Sequence, residues 1–327
     1  MLDHQPSPGC ATPWTAWARS MLNGAVGDYL HASQNGLGIA MALYVGNRPL
    51  PLTPEALLRV HPRPTAKLCV LVHGLGCNEG SWAYPDPDDP GRELSYGAGL
   101  AADLGYTPLF VRYNTGLAIA RNGQHLADLL AALLDAYPLP VEELILIGHS
   151  MGGLVIRVAC YLGSRRHDPW VGRVRQAFYL GSPHDGAPLA LLGEVATRVL
   201  HAVPNPITRL IGDIFNLRSQ GVKDLRAAPL LDAARQDAPG LQAAPWLAGA
   251  RHYLVVGTLT EDPRHPLALL LGDGLVLAPA LAGGEPRAPI PPEQIACFPR
   301  TDHLQLARDP AVYRQIRQWC AAYERSA

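Results

Sequence analysis

Five short apolar runs, separated by segments of helical periodicity, limit the folds open to this chain. They are residues 68–72 (LCVLV), 109–113 (LFVRY), 144–147 (LILI), 177–180 (AFYL) and 253–256 (YLVV), with a weaker run at 295–298. Runs that are apolar at successive positions suit strands covered on both faces, as in a parallel sheet. Between them, Leu126, Leu129, Leu130, Leu133 and Leu134 line one helix face, and Pro138 stops that helix. Near the end, Asp309-Pro310 reads as an N-cap with a first-turn proline, and Val312, Ile316 and Trp319 form a stripe suited to packing on a sheet. The alternation predicts an α/β fold with a mostly parallel, doubly wound sheet and helices on both faces. At 327 residues and 48% apolar composition, one large core is feasible and disorder is excluded.

Two regions depart from the alternation. In residues 12–66, Trp14, Trp17, Met21 and Leu22 suggest a helix, and Ile39, Met41, Leu43 and Val45 alternate as in a half-buried antiparallel edge strand. This region is expected to extend the sheet, so residues 1–327 read as one domain. Residues 187–246 show helical patterns only, with stripes at Leu192, Val195 and Val199 and at Leu210, Ile211 and Ile214, divided by Pro204 and Pro206. Such a segment is too long for an ordinary connection and is expected to form a helical cap inserted in the core.

Charge excludes some partners. Lys+Arg 27 against Asp+Glu 28 gives a formal net charge of −1, so no global field favours nucleic acid or an anionic membrane. No apolar run is long enough for a transmembrane helix, and the N-terminus MLDHQPSPGC does not read as a secretory signal. The 6 Cys show no metal-type spacing and read as small hydrophobes in a reducing cytoplasm.

The LILI run leads directly into Gly148-His149-Ser150-Met151-Gly152-Gly153, and a helical pattern follows. This is G-x-S-x-G in a strand–turn–helix setting. A turn this tight lifts the Ser150 hydroxyl to the carboxyl edge of the sheet, and the next helix aims its N-terminal amides at the reacting centre. The bland alternative is a serine that merely makes a turn. A serine nucleophile needs a base. Of the 12 His, His303 follows the last strand pattern and precedes the final helix, whereas His265 comes too early in the chain. His149 is expected to point away from the reacting centre. The acid is sought among Glu261, Asp262 and Asp273. Asp273 is favoured because flanking glycines let its carboxylate turn inward, and Asp302 would have to fold back on its neighbour. The oxyanion hole is expected to use the amide of Met151 and a second from His73-Gly74-Leu75-Gly76, with Leu75 favoured and Gly74 or Gly76 as alternatives, and His73 as a structural hydrogen-bonder beneath. Trp82 joins Leu192, Val199, Leu210 and Ile214 as candidate substrate contacts.

Taken together, VHGLG, GHSMGG, GSPHDGAP at 181–188, GDGLV at 272–276 and a late D-H-L resemble bacterial lipases and esterases of the α/β-hydrolase superfamily. The lipase-like group that includes GPI inositol-deacylase-like hydrolases is especially similar. The resemblance spans about residues 66–323. It implies the α/β-hydrolase fold and carboxylester hydrolysis through an acyl-enzyme, with Ser150, Asp273 and His303 as the triad and Asp273 matching the family acid. Its substrate would be a small hydrophobic ester or lipid, with no cofactor. Lipases of this type often hold a structural Ca²⁺ with an Asp two residues after the catalytic His. Here that position is Gln305, so no metal is expected. An acyltransferase or a thioesterase would use the same triad, and a binding protein on a hydrolase scaffold would not need it.

Overall fold

The computed structural model describes residues 14–86, 89, 91–184, 219–227, 244–261 and 290–325. Their centre is an eight-stranded sheet. The strands joining it before the serine are β1 (Ala42–Val45), β2 (Arg48–Pro49), β3 (Lys67–Val72) and β6 (Thr107–Arg112), and β7 (Glu143–His149) leads into it. After it come β8 (Val174–Leu180), β9 (Arg251–Thr258) and β10 (Ile295–Pro299). Between β3 and β6, β4 (Ala83–Pro85) and β5 (Glu93–Ser95) make a separate hairpin-like pair. The order across the large sheet is β10-β9-β8-β7-β3-β6-β1-β2. From β10 to β6 every pairing is parallel; β1 runs antiparallel to β6, and β2 antiparallel to β1. The sheet is therefore mostly parallel, as the apolar runs predict.

Alternate side chains of each buried strand enter two separate cores. Leu68, Val70 and Val72 of β3 point to one core, and Cys69 and Leu71 to the other. The first core packs under α4 (Ile119–Ala136) and α5 (Met151–Arg166), through Leu126, Leu130, Leu133, Leu154, Val155 and Val158. The second packs under α3 (Tyr96–Leu104) and the last helix, Pro310–Glu324, through Tyr96, Leu100, Val312 and Ile316. Each fully buried Leu, Ile or Val contributes roughly 1.5–3 kcal/mol. The continuous apolar runs are thus explained by cover on both faces. Asp309 caps the last helix by accepting from the Ala311 amide at 2.7 Å, with Pro310 in the first turn.

The N-terminal region joins the same sheet, with α1 (Trp14–Ala32) ahead of β1 and α2 (Pro54–Val60) after β2. A later helix, α6 (Gln220–Ala227), lies against α1 and the loop after β6. Ser219 Oγ donates to Gly24 O at 2.6 Å, and Gly221 N donates to Gly116 O at 3.0 Å. Asp224 accepts from Ile119 N at 2.8 Å and so caps α4, whose own N-cap residue, Ala118, has no side chain able to do it. The final helix becomes α7 in this numbering.

The chain leaves β3 to build β6 on one side of it and β7 on the other. A crevice for a ligand opens where strand order reverses in this way, at the carboxyl ends of the strands. The loops after β3, β7, β8 and β10 all emerge at that edge.

Candidate active site

Ser150 directly follows β7 and serves as N-cap of α5, with φ 54° and ψ −124°. That conformation is costly for any residue with a β-carbon and survives only where the surroundings impose it. The imposing contacts are visible. Ser150 N donates to Leu180 O at 2.8 Å, and Gly153 N donates to Ser150 O at 3.1 Å. Gly152 fits because it has no side chain: a β-carbon there would lie 2.1 Å from Val72 O and 2.6 Å from His73 O. Although Ser150 occupies the N-cap position, its side chain caps nothing in α5. The hydroxyl is therefore not spent on holding a helix end, as in an ordinary turn serine.

The loop after β3 crosses directly over this turn. A β-carbon on Gly74 would stand 3.0 Å from Ser150 Cβ and 3.1 Å from His149 Nδ1. Gly76 N is already engaged within the fold, donating to Thr115 Oγ1 at 3.0 Å. Met151 N is the first helical amide of α5, at the positive end of its dipole. His73 lies beneath the loop, its Nδ1 2.9 Å from Gly74 O and its ring stacked on Tyr113 at 4.6 Å. Tyr113 Oη donates to His73 O at 2.8 Å. A carbonyl can only accept, so His73 Nδ1 carries the proton. Burial pushes its pKa down to about 3. His73 supports the loop and stays neutral.

His303 arrives from the turn after β10. Thr301 N donates to Thr258 O at 3.1 Å, tying this turn to β9. Asp302 Oδ1 accepts from the amides of Leu304 and Gln305, each at 2.9 Å, and Gln305 Oε1 accepts from Asp302 N at 2.8 Å. This reciprocal pair closes the turn that presents His303, which is 3% exposed. Gln305 thus has a structural task in that turn.

The structure corrects two expectations. His149 does not point away from the centre. Its ring lies 4.8 Å from that of His303, and its Nε2 is 2.8 Å from His303 O. Sequence reasoning had no access to a contact across 154 positions. Trp82, expected to touch substrate, is fully enclosed and offers a substrate no surface. The short turn Glu79–Trp82, started by Asn78, carries it under the site, edge-on to His149 at 6.4 Å and near Tyr96 at 5.9 Å. The remaining expected residues, Asp273, Leu192, Val199, Leu210 and Ile214, lie outside the described residues, as does Asp262.

The GSPHDGAP stretch begins at the end of β8. Here His184 is held between Tyr179 at 5.0 Å and Trp246 at 4.9 Å, and the Arg157 guanidinium sits 4.6 Å from the Trp246 ring centre. Burial, and secondarily the Arg157 charge, push the His184 pKa down to about 3. Burial and the neighbouring His303 do the same to His149. Burial thus holds all three rings, His73, His149 and His184, toward the neutral form.

The sequence matches the alpha/beta hydrolase family over residues 69–316. This chain belongs to that family. Similar solved structures include the mature Bacillus licheniformis lipase BlEst2, with TM-score 0.50 and 19% identity over 80% of this hydrolase and 94% of that chain. Carboxylesterase CesB from Bacillus subtilis has TM-score 0.43 and 13% identity, over 96% and 99% of the two chains. Naproxen esterase from Bacillus subtilis has TM-score 0.40 and 18% identity, over 78% and 83%. At such identities the likeness to BlEst2 speaks for the fold. Comparison with curated protein sequences finds no match. Among its described residues, this hydrolase has no helix long and apolar enough to cross a membrane.

Proposed function

We propose that this α/β-hydrolase is a serine carboxylester hydrolase of the esterase or lipase type. The observation that carries the reading is Ser150: a strained residue between β7 and α5, its side chain uncommitted to capping, with Gly74 passing over it and its chain neighbour His149 against the His303 turn. In this mechanism His303 removes the Ser150 Oγ proton as the oxygen attacks the ester carbonyl. The carbonyl π electrons move to oxygen, and that oxyanion accepts hydrogen bonds from Leu75 N and Met151 N. Collapse of the tetrahedral intermediate breaks the bond to the alkoxy oxygen, which leaves as the alcohol with the proton from His303. Water then attacks the acyl-Ser150 by the same steps, releasing the carboxylic acid and restoring the serine. Asp273 holds the imidazole in its productive tautomer. Residues 187–246 cover the acyl side, no cofactor or metal takes part, and the protein works in the cytoplasm on a small hydrophobic ester or lipid.

The test is a fluorophosphonate probe with p-nitrophenyl esters of graded chain length. Ser150 becomes phosphonylated and hydrolysis stops with it. Ser150→Ala and His303→Ala each lose more than about a thousandfold in kcat, and the double variant loses hardly more, because the triad acts as a unit. Asp273→Asn is severe and Asp262→Asn mild. Failure of the probe to label Ser150, or turnover by Ser150→Ala near the wild-type level, removes the proposal.

A further inference from the structure

Three catalytic loops converge on one side chain to which the reaction gives no chemical part. His149 is 1% exposed. Its ring faces His303 at 4.8 Å and stands edge-on to Trp82 at 6.4 Å. Gly74, in the loop of the Leu75 amide, passes so close that a β-carbon there would lie 3.1 Å from His149 Nδ1. The main chain of His149 continues directly into Ser150. Its Nε2 reaches His303 O at 2.8 Å.

We propose that His149 is a positioning residue that locks the His303 turn to the nucleophile turn through an Nε2–H hydrogen bond to the His303 carbonyl. The inference rests on the assignment of Ser150 and His303 above and deepens it. The proton position follows from chemistry: a carbonyl offers only lone pairs, so Nε2 must carry the hydrogen and Nδ1 a lone pair. That lone pair is buried and makes no hydrogen bond. The groups electrostatically facing this ring are His303, His73 and Arg308, and each, when charged, opposes a second positive charge on it. A ring that stays neutral keeps the same donor at the His303 carbonyl while the His303 imidazole gains and loses its proton in each turnover. The base is thereby held at fixed distance from Ser150 by a bond that catalysis does not disturb.

Two variants and one measurement on the wild-type protein test this. His149→Phe keeps the ring shape and removes the donor. His149→Gln places an amide N–H near the former Nε2. Misplacing a catalytic group by about an ångström costs on the order of a hundredfold in rate. His149→Phe is expected to lose about 10- to 100-fold in kcat with KM within twofold, and His149→Gln to recover most of the loss. Phosphonylation of Ser150 should slow in parallel. Nitrogen-15 histidine NMR of the unmodified protein should show His149 as the neutral Nε2–H tautomer from pH 5 to pH 8. An Nδ1–H tautomer, or a His149 that titrates in that range, overturns the proposal even if both variants fail to fold. So does His149→Phe with wild-type kcat. If wild-type Ser150 resists the probe altogether, the catalytic assignment fails instead, a result distinct from an unaltered His149→Phe.

Discussion

Replacing Ser150 by glycine should stabilise the protein relative to replacing it by alanine, although in most buried positions the order is the reverse. Both variants lack the hydroxyl, so the proposed mechanism expects both to be inactive. They differ in the backbone. At φ 54° and ψ −124°, a residue with a β-carbon carries strain near the upper end of roughly 1–3 kcal/mol, which glycine does not. Against this, glycine gains about 0.5–1 kcal/mol of freedom in the unfolded chain, and loss of one buried methyl costs about 0.8 kcal/mol. The balance favours Ser150→Gly by about 1 kcal/mol. For a chain of this length an unfolding entropy of about 0.7 kcal/mol per kelvin converts that into a Tm about 1–2 °C higher. The reference is Ala159→Gly, at a buried position of regular helix in α5. There no strain is released, and helix propensity plus the lost methyl should cost about 2 kcal/mol. Scanning calorimetry on the four proteins, each with circular dichroism and an esterase assay, measures both differences. Ser150→Gly melting below Ser150→Ala would refute the strain argument, and with it the reason given for the serine's placement at the sheet edge.

Other consequences follow from the same geometry. Gly152→Ala forces a β-carbon toward the Val72 and His73 carbonyls, and should lower stability by roughly 1–3 kcal/mol or more, read as a fall in Tm together with lost activity. Thr115→Val leaves Gly76 N without its acceptor. It should cost about 1–3 kcal/mol in chemical denaturation and lower kcat by loosening the Leu75 loop. Acid should destabilise the fold through His73 and His149, both pushed down to about 3. Unfolded, each binds a proton below about pH 6.5 while the native ring stays neutral, so stability is full above that pH and falls by up to about 1.4 kcal/mol per pH unit per histidine as pH drops toward 3. Urea titrations between pH 7 and pH 5 should show this slope, and His149→Gln should lessen it; an unchanged slope would mean that His149 is not buried neutral.

Much of this molecule was legible along the chain because the relevant physics is local. Successive apolar residues in 68–72 and 144–147 specify strands covered on both faces, whatever covers them. The glycines around Ser150 specify a tight turn between strand and helix, since Gly152 must pass within contact of the Val72 and His73 carbonyls. Asp309-Pro310 starts a helix by a hydrogen bond two residues long. The position of His303 between the last strand and the last helix was also legible, because both elements carry local patterns. What it did not contain were contacts made across the fold. Whether a tryptophan at 82 faces a ligand or the core depends on how one short turn swings beneath the sheet edge, and the structure encloses it against Tyr96 and His149. The direction of the His149 ring depends on a carbonyl that the β10–α7 connection brings to it, and the Gly76 amide on the loop after β3 is taken by Thr115, 39 positions away. Periodicity and turn chemistry act within a few residues, whereas a side chain's partner is chosen by whichever distant segment the closed sheet delivers to its side.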